Sequence, residues 1–135
     1  MRTAIVTLLG ISIALIGGGA AAHHAFATEF DVESPISLEG KVTKVELINP
    51  HSWIHVEVIN DDGNPEVWMI EGGSPNALVR RGITKASIPV GSELVIRGYQ
   101  ARDGSLRAVG RDLRFADGRE LFFQGTQSPE AAGAE

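Results

Sequence analysis

Apolar and polar residues alternate along much of the chain, and turn residues stand where the alternation stops. Ser52 to Asn60 is the clearest run, with Ile54, Val56 and Val58 on one face and Trp53, His55 and Glu57 on the other, the period of a half-buried strand. Ile36 to Ile48 reads as a longer strand that changes face: Leu38, Gly40 and Val42 share one parity, Val45 and Leu47 the other. A bulge or a sharp coil produces such a switch, and Gly40 is the expected pivot. Asn49–Pro50 separates these strands, while Asp61–Asp62–Gly63–Asn64 is a hairpin turn returning through Pro65 to Glu71. Ser74 is an expected helix N-cap with Pro75 at the first helical position. Asn76 to Arg81 continues the helix and Gly82 ends it. Strands follow over Glu93 to Ala101, Leu106 to Phe115 and, more briefly, Glu120 to Gln124, joined by turns at Asp103–Gly104 and Asp117–Gly118.

Three strands, a short helix and two further strands with a short extra one predict a mainly β fold. The expected form is a small OB-like antiparallel β-barrel with the helix between the third and fourth strands. A plain antiparallel sandwich is the alternative. A closed barrel leaves no exposed edge, which suits a domain of this size.

The first residues follow another pattern. Arg2 precedes an apolar run from Ala4 to Ile16, and Gly17 to Ala22 closes it with small residues, the layout of an export signal. Ala20-x-Ala22 is the expected cleavage site, with His23 as the new first residue. The run falls short of the roughly 20 residues of a spanning helix, so a retained anchor is the weaker reading. The expected division is a signal peptide over 1–22, a polar lead over 23–35, the barrel over 36–125 and a disordered tail over 126–135. The expected address is periplasmic or secreted, in a bacterium, with no membrane attachment after cleavage.

Composition narrows the chemistry. The 135 residues contain no cysteine, which excludes disulfide scaffolds, thiolate metal sites and cysteine nucleophiles. The formal charge of −5 is uneven. From His23 to Val79 two basic and ten acidic side chains give −8, whereas from Arg80 onward nine basic and seven acidic ones give +2. This acidity opposes a nucleic-acid partner.

All four histidines, His23, His24, His51 and His55, lie in the acidic part. Cleavage after Ala22 exposes the amine of His23 beside its imidazole, and cleavage one residue earlier gives Ala22–His23–His24. Either arrangement offers nitrogen-rich tetragonal coordination, which favours Cu(II). The candidate metal ligands are therefore His23, His24 and His51, with His55 as a further candidate. His51 and His55 do not form one motif, because four residues of strand separate them by about 13 Å. Trp53, His55, Trp68 and Glu71 are the candidate face for a small ligand or a periplasmic protein partner. The bland alternative keeps the histidines as surface or lead residues.

Catalytic signatures are absent from the sequence: no Gly-x-Ser-x-Gly elbow, no P-loop and no His-Glu-x-x-His helix. Glu71–Gly72–Gly73–Ser74 at a helix start offers backbone N–H groups to an anion, but a tight turn with an N-cap explains it better. A small hydrolase using Glu71 or a histidine is the least favoured reading. The leading expectation is a non-enzymatic exported binding protein.

The stretches His23 to Asp31, Asn49 to Ile54, Trp68 to Asn76 and Arg80–Arg81–Gly82 stand in one order, followed by Asp103–Gly104–Ser105, Gly110–Arg111 and Asp117–Gly118–Arg119. Together they resemble a small exported bacterial family catalogued as a domain of unknown function, number 6152. The resemblance runs from about His23 to Gly125. It implies export and a small β-rich domain, and carries no activity or site residue with it.

Overall fold

A computed structural model describes residues 28–124. The expected signal peptide, His23, His24 and the tail 126–135 lie outside the described residues. The elements run β1 (Phe30–Ile48), β2 (His51–Ile59), β3 (Pro65–Glu71), α1 (Pro75–Arg80), a 3-10 turn (Lys85–Ser87), β4 (Glu93–Ala101), β5 (Arg107–Phe115) and β6 (Glu120–Phe122). The protein is mainly β, with the short helix between the third and fourth strands. Neighbouring strands pair antiparallel in the order β3–β2–β1–β4–β5–β6, and β3 also pairs with β5 in parallel over Met69 to Glu71.

β1 is the spine of the sheet. Its first part pairs with β4 from Phe30↔Ala101 to Lys41↔Glu93, and its last part with β2 from Lys41↔Glu57 to Ile48↔His51. The change of face is real, but its pivot is Thr43 rather than Gly40. The register with β2 skips Thr43, passing from Val42↔Val56 to Lys44↔His55, so Val42 and Val45 both reach the core. Gly40 serves a close crossing instead: a Cβ there would lie 2.4 Å from the Glu57 carbonyl oxygen and 2.7 Å from Val56. β1 also starts earlier than the expected Ile36. Phe30, inside the expected polar lead, is 2% exposed and packs with Ala101, Val109 and Tyr99, so burial of this ring holds the lead to β4.

The turns form where the sequence places them. Asn60 Oδ1 accepts from the backbone N–H groups of Asp62 and Asn64 at 3.1 and 2.9 Å, and Gly63 takes a φ of +83°. Ser74 caps α1 by accepting from the Ala77 N–H at 3.3 Å. At the other end Ile83 N–H reaches Leu78 O and Gly82 N–H reaches Val79 O, both at 2.9 Å. This is a Schellman motif, with Gly82 at φ +78°. Leu78 and Ile83 are both buried, so the motif plugs the helix into the main core beside Ile54, Ile70, Ile96, Leu113 and Phe123.

The N–H groups of the glycines after β3 are taken up by backbone carbonyls. Gly72 donates its N–H to Ser52 O and Gly73 to Phe123 O, each at 2.8 Å. A Cβ at Gly72 would strike the Phe123 ring at 2.6 Å. Gly72 is there so that the Phe123 ring crosses close to the backbone. Among the described residues no helix is long and apolar enough to cross a membrane.

Candidate functional site

The alternation of β2 turns His51, Trp53 and His55 to the outer face while Ser52, Ile54, Val56 and Val58 are buried. Register carries that face across the neighbouring strands. Trp53 sits opposite Glu46 on β1 and Glu71 on β3, and His55 opposite Lys44 and Met69. A groove of about 480 Å³ opens on this face, lined by Glu29, Glu46, His51, Trp53, Met69 and Glu71. Ile48, Asn49 and Pro50, from the connection between β1 and β2, form its rim.

Each carboxylate in the groove holds a basic partner. The His51 Nδ1–H donates to Glu71 Oε1. His55 Nε2 bonds to Glu46 Oε2 at 2.7 Å, and Lys44 reaches the other oxygen of Glu46 at 2.8 Å. Arg107 on β5 pairs with Glu29 and lies over the Trp53 ring, 5.6 Å from its centroid. That distance is within cation–π range.

The two histidine–carboxylate pairs differ in burial. The Glu71 side chain is 7% exposed and its partner His51 53%, against 26% for Glu46 and 18% for His55. Burial therefore pushes the Glu71 carboxyl above the ordinary carboxylate value, against the opposing hydrogen bond and charge of His51. Glu46 moves the other way, because hydrogen bonds from Lys44 and then His55 favour its charged form.

Of the residues singled out in the sequence, the structure brings His51, Trp53, His55 and Glu71 onto one face. Trp68 does not join them: it pairs with Val56, has the inward parity of β3 and is buried in the core. His51 and His55 are held by carboxylates from different strands, Glu71 on β3 and Glu46 on β1. Among the described residues no group of three or more histidine or acidic side chains stands close enough to hold a metal ion. Sequence reading passed over Glu46, Met69 and Arg107. The hairpin turn fixes the β2–β3 register and so puts Met69 opposite His55. Glu46 depends on the skipped Thr43, and Arg107 on a parallel pairing between strands far apart in the chain.

A model of a family of unknown function (DUF6152) matches residues 11–110. Neither a curated protein nor a solved structure matches the chain.

Proposed function

The chain belongs to this family of unknown function, and we propose that it is an exported, non-enzymatic periplasmic binding protein that takes Cu(II) into the acidic groove. The export signal at 1–22 supports the compartment. The pairing of β3 with β5 supports a sheet that closes on itself as an OB-like barrel, since the ladder runs β1–β2–β3–β5–β4 and returns to β1. Barrels of that kind bind their ligands on the face of the second and third strands, beside the loop joining the first two. The groove lies on that face and beside that loop.

One observation carries the choice of metal: His51 is held through Nδ1 by the buried Glu71. A carboxylate on one ring nitrogen fixes the ring and leaves Nε2 to coordinate, the usual support of a metal-binding histidine. His51 alone is a weak site. Glu29 also lines the groove, and an extended chain from Glu29 back to His24 spans at most about 18 Å. That length of chain is enough for the amine and imidazoles of the mature terminus to complete, with His51, the nitrogen-rich set that favours Cu(II).

The test uses the exported protein with its own mature terminus, titrated with Cu(II) by calorimetry and electron paramagnetic resonance. His23→Ala or a blocked amine lowers the affinity by orders of magnitude, and Glu71→Gln lowers it about 10–100-fold. A native protein with a Kd above about 10 μM overturns the reading. A second reading rests on Trp53, whose ring already takes a cation from Arg107: a small ligand or protein partner docks on the aromatic face. Trp53→Ala then removes a periplasmic partner from a pull-down without changing metal content.

A further inference from the structure

Alternation on β3 sends Trp68 and Ile70 into the core and leaves Met69 half-buried on the outer face. Cu(II) bound through His51 and the mature terminus makes no use of this thioether. Register sets Met69 directly opposite His55 on β2, and side chains paired in that way have Cβ atoms about 4.5–5.5 Å apart. His55 therefore has a second soft donor within a side chain's length. Glu46 fixes the ring: an ionised carboxylate only accepts, so the 2.7 Å bond to Glu46 Oε2 comes from Nε2–H, and Nδ1 keeps its lone pair. Lys44 reaches the other oxygen of Glu46 at 2.8 Å and holds the carboxylate in turn. The His55 side chain is 18% exposed, which shelters the ring without closing it off.

We propose that Met69 and His55 bind a soft monovalent cation of the Cu(I) class, through the thioether sulfur and Nδ1. A thioether selects Cu(I), whereas Zn(II) takes thiolate, imidazole and carboxylate, and Mg(II) and Ca(II) take oxygen. A soft monovalent ion is also content with few ligands. A pair serves it where a divalent ion would need the larger group of histidine and acidic side chains that the described residues do not bring together. Met69 lines the first groove with Glu29, Glu46 and Glu71, so the approach to the site is acidic and draws cations. The other side of β1 is unlike it. A second groove there, of about 240 Å³, has Arg97 and Arg111 in its lining and neither carboxylate, imidazole nor thioether. It owes this to a bulge in β5: the β4–β5 register passes from Arg97↔Asp112 to Gly98↔Gly110 and skips Arg111. Both guanidinium groups then donate to Asp112, at 2.7 and 3.0 Å. The Met69–His55 site shares no ligand with the Cu(II) set of His23, His24 and His51, so either can fail without the other.

Cleavage of the export signal removes Met1, so Met69 is the single methionine of the mature chain, and its ¹³C-labelled methyl group reports on this site alone. Ag(I) is the probe, in chloride-free buffer, with Zn(II) as the hard control. Ag(I) moves the methyl signal in a saturable way and Zn(II) does not. In His55→Gln the midpoint of that shift rises about tenfold or more. Met69→Leu, a swap of similar volume that keeps the fold, loses one equivalent of Ag(I) per chain by calorimetry and takes up Cu(II) as before. His23→Ala does the reverse: Cu(II) uptake falls, and the Ag(I) shift of the methyl stays. A methyl signal that Ag(I) leaves unmoved, an unchanged midpoint in His55→Gln, a full Ag(I) count in Met69→Leu, or a shift lost in His23→Ala overturns the proposal.

Discussion

The two grooves are built on one plan and present opposite charge. In each, a carboxylate that is 7% exposed supports a base that is about half exposed: Glu71 under His51 at 53%, and Asp112 under Arg97 at 48%. What differs is the base. An imidazole bonded through one nitrogen turns a lone pair outward, whereas a guanidinium has only donors to offer and never loses its charge. The same support therefore holds an acceptor-capable ring in one groove and a donor-only group in the other. It also separates the two charge halves of the chain. Glu29, Glu46 and Glu71 line the first groove and Arg97 and Arg111 the second, with β1 between them.

The largest effect that bears on this pairing is at Gly98, beside the β5 bulge. A Cβ there would lie 1.8 Å from the Val109 carbonyl oxygen, backbone against backbone. Gly98→Ala is expected to cost about 3 kcal/mol or more, the upper end for overpacking, and to disturb the basic groove before the acidic one. Denaturant unfolding and the amide spectrum check both statements. Removing the supporting acids comes next. Asp112→Ala leaves two adjacent guanidinium groups without their shared carboxylate and is expected to cost about 1–2 kcal/mol, a charged hydrogen bond discounted for the exposure of both arginines. Glu71→Gln keeps the size of the side chain and an oxygen that accepts from His51, while removing a charge that burial disfavours. Its expected effect at neutral pH is close to zero or slightly stabilising. Equal losses for Asp112→Ala and Glu71→Gln would break the comparison.

The β2 side of the first groove was legible in the sequence and the second groove was not, for a physical reason. His51, Trp53 and His55 share a parity on an unbroken strand, and the Asp61–Asn64 turn fixes the register that sets Glu71 beside Trp53. Alternation and turn chemistry are local, so a single strand displays them. Trp68 shows the limit: an aromatic ring suggested a ligand face, but the parity it shares with Ile70 sends it inward, where its apolar area is better used. The second groove depends on a skipped residue. Without the bulge, Arg111 and Asp112 would point to opposite faces, and nothing near Gly110 in the sequence announces one. Thr43 is the same lesson in β1. There the reversal of apolar parity signalled a bulge, yet the conspicuous Gly40 drew the assignment away from the residue that makes it.

The smallest effect separates the two histidine pairs inside the acidic groove. Both carboxyls start from an ordinary value of 4.5, with Glu71 raised and Glu46 lowered. For a raised group the folded state holds its proton more tightly than the unfolded chain. The contribution of Glu71 is then fully present below 4.5 and lost as pH rises through its raised folded value. For the lowered Glu46 the order reverses: its contribution is present above 4.5 and lost as pH falls through the folded value. Glu71→Gln is consequently expected to match the parent protein in acid and to gain on it as pH rises toward neutrality. Glu46→Gln is expected to fall below the parent at neutral pH and to converge with it in acid. Melting temperatures of the three proteins between pH 3.5 and 7.5 read both curves at once. Opposite slopes mean that burial governs one pair and exposed hydrogen bonds the other. Parallel slopes would mean that the two pairs are electrostatically alike and that His51 owes no special orientation to Glu71.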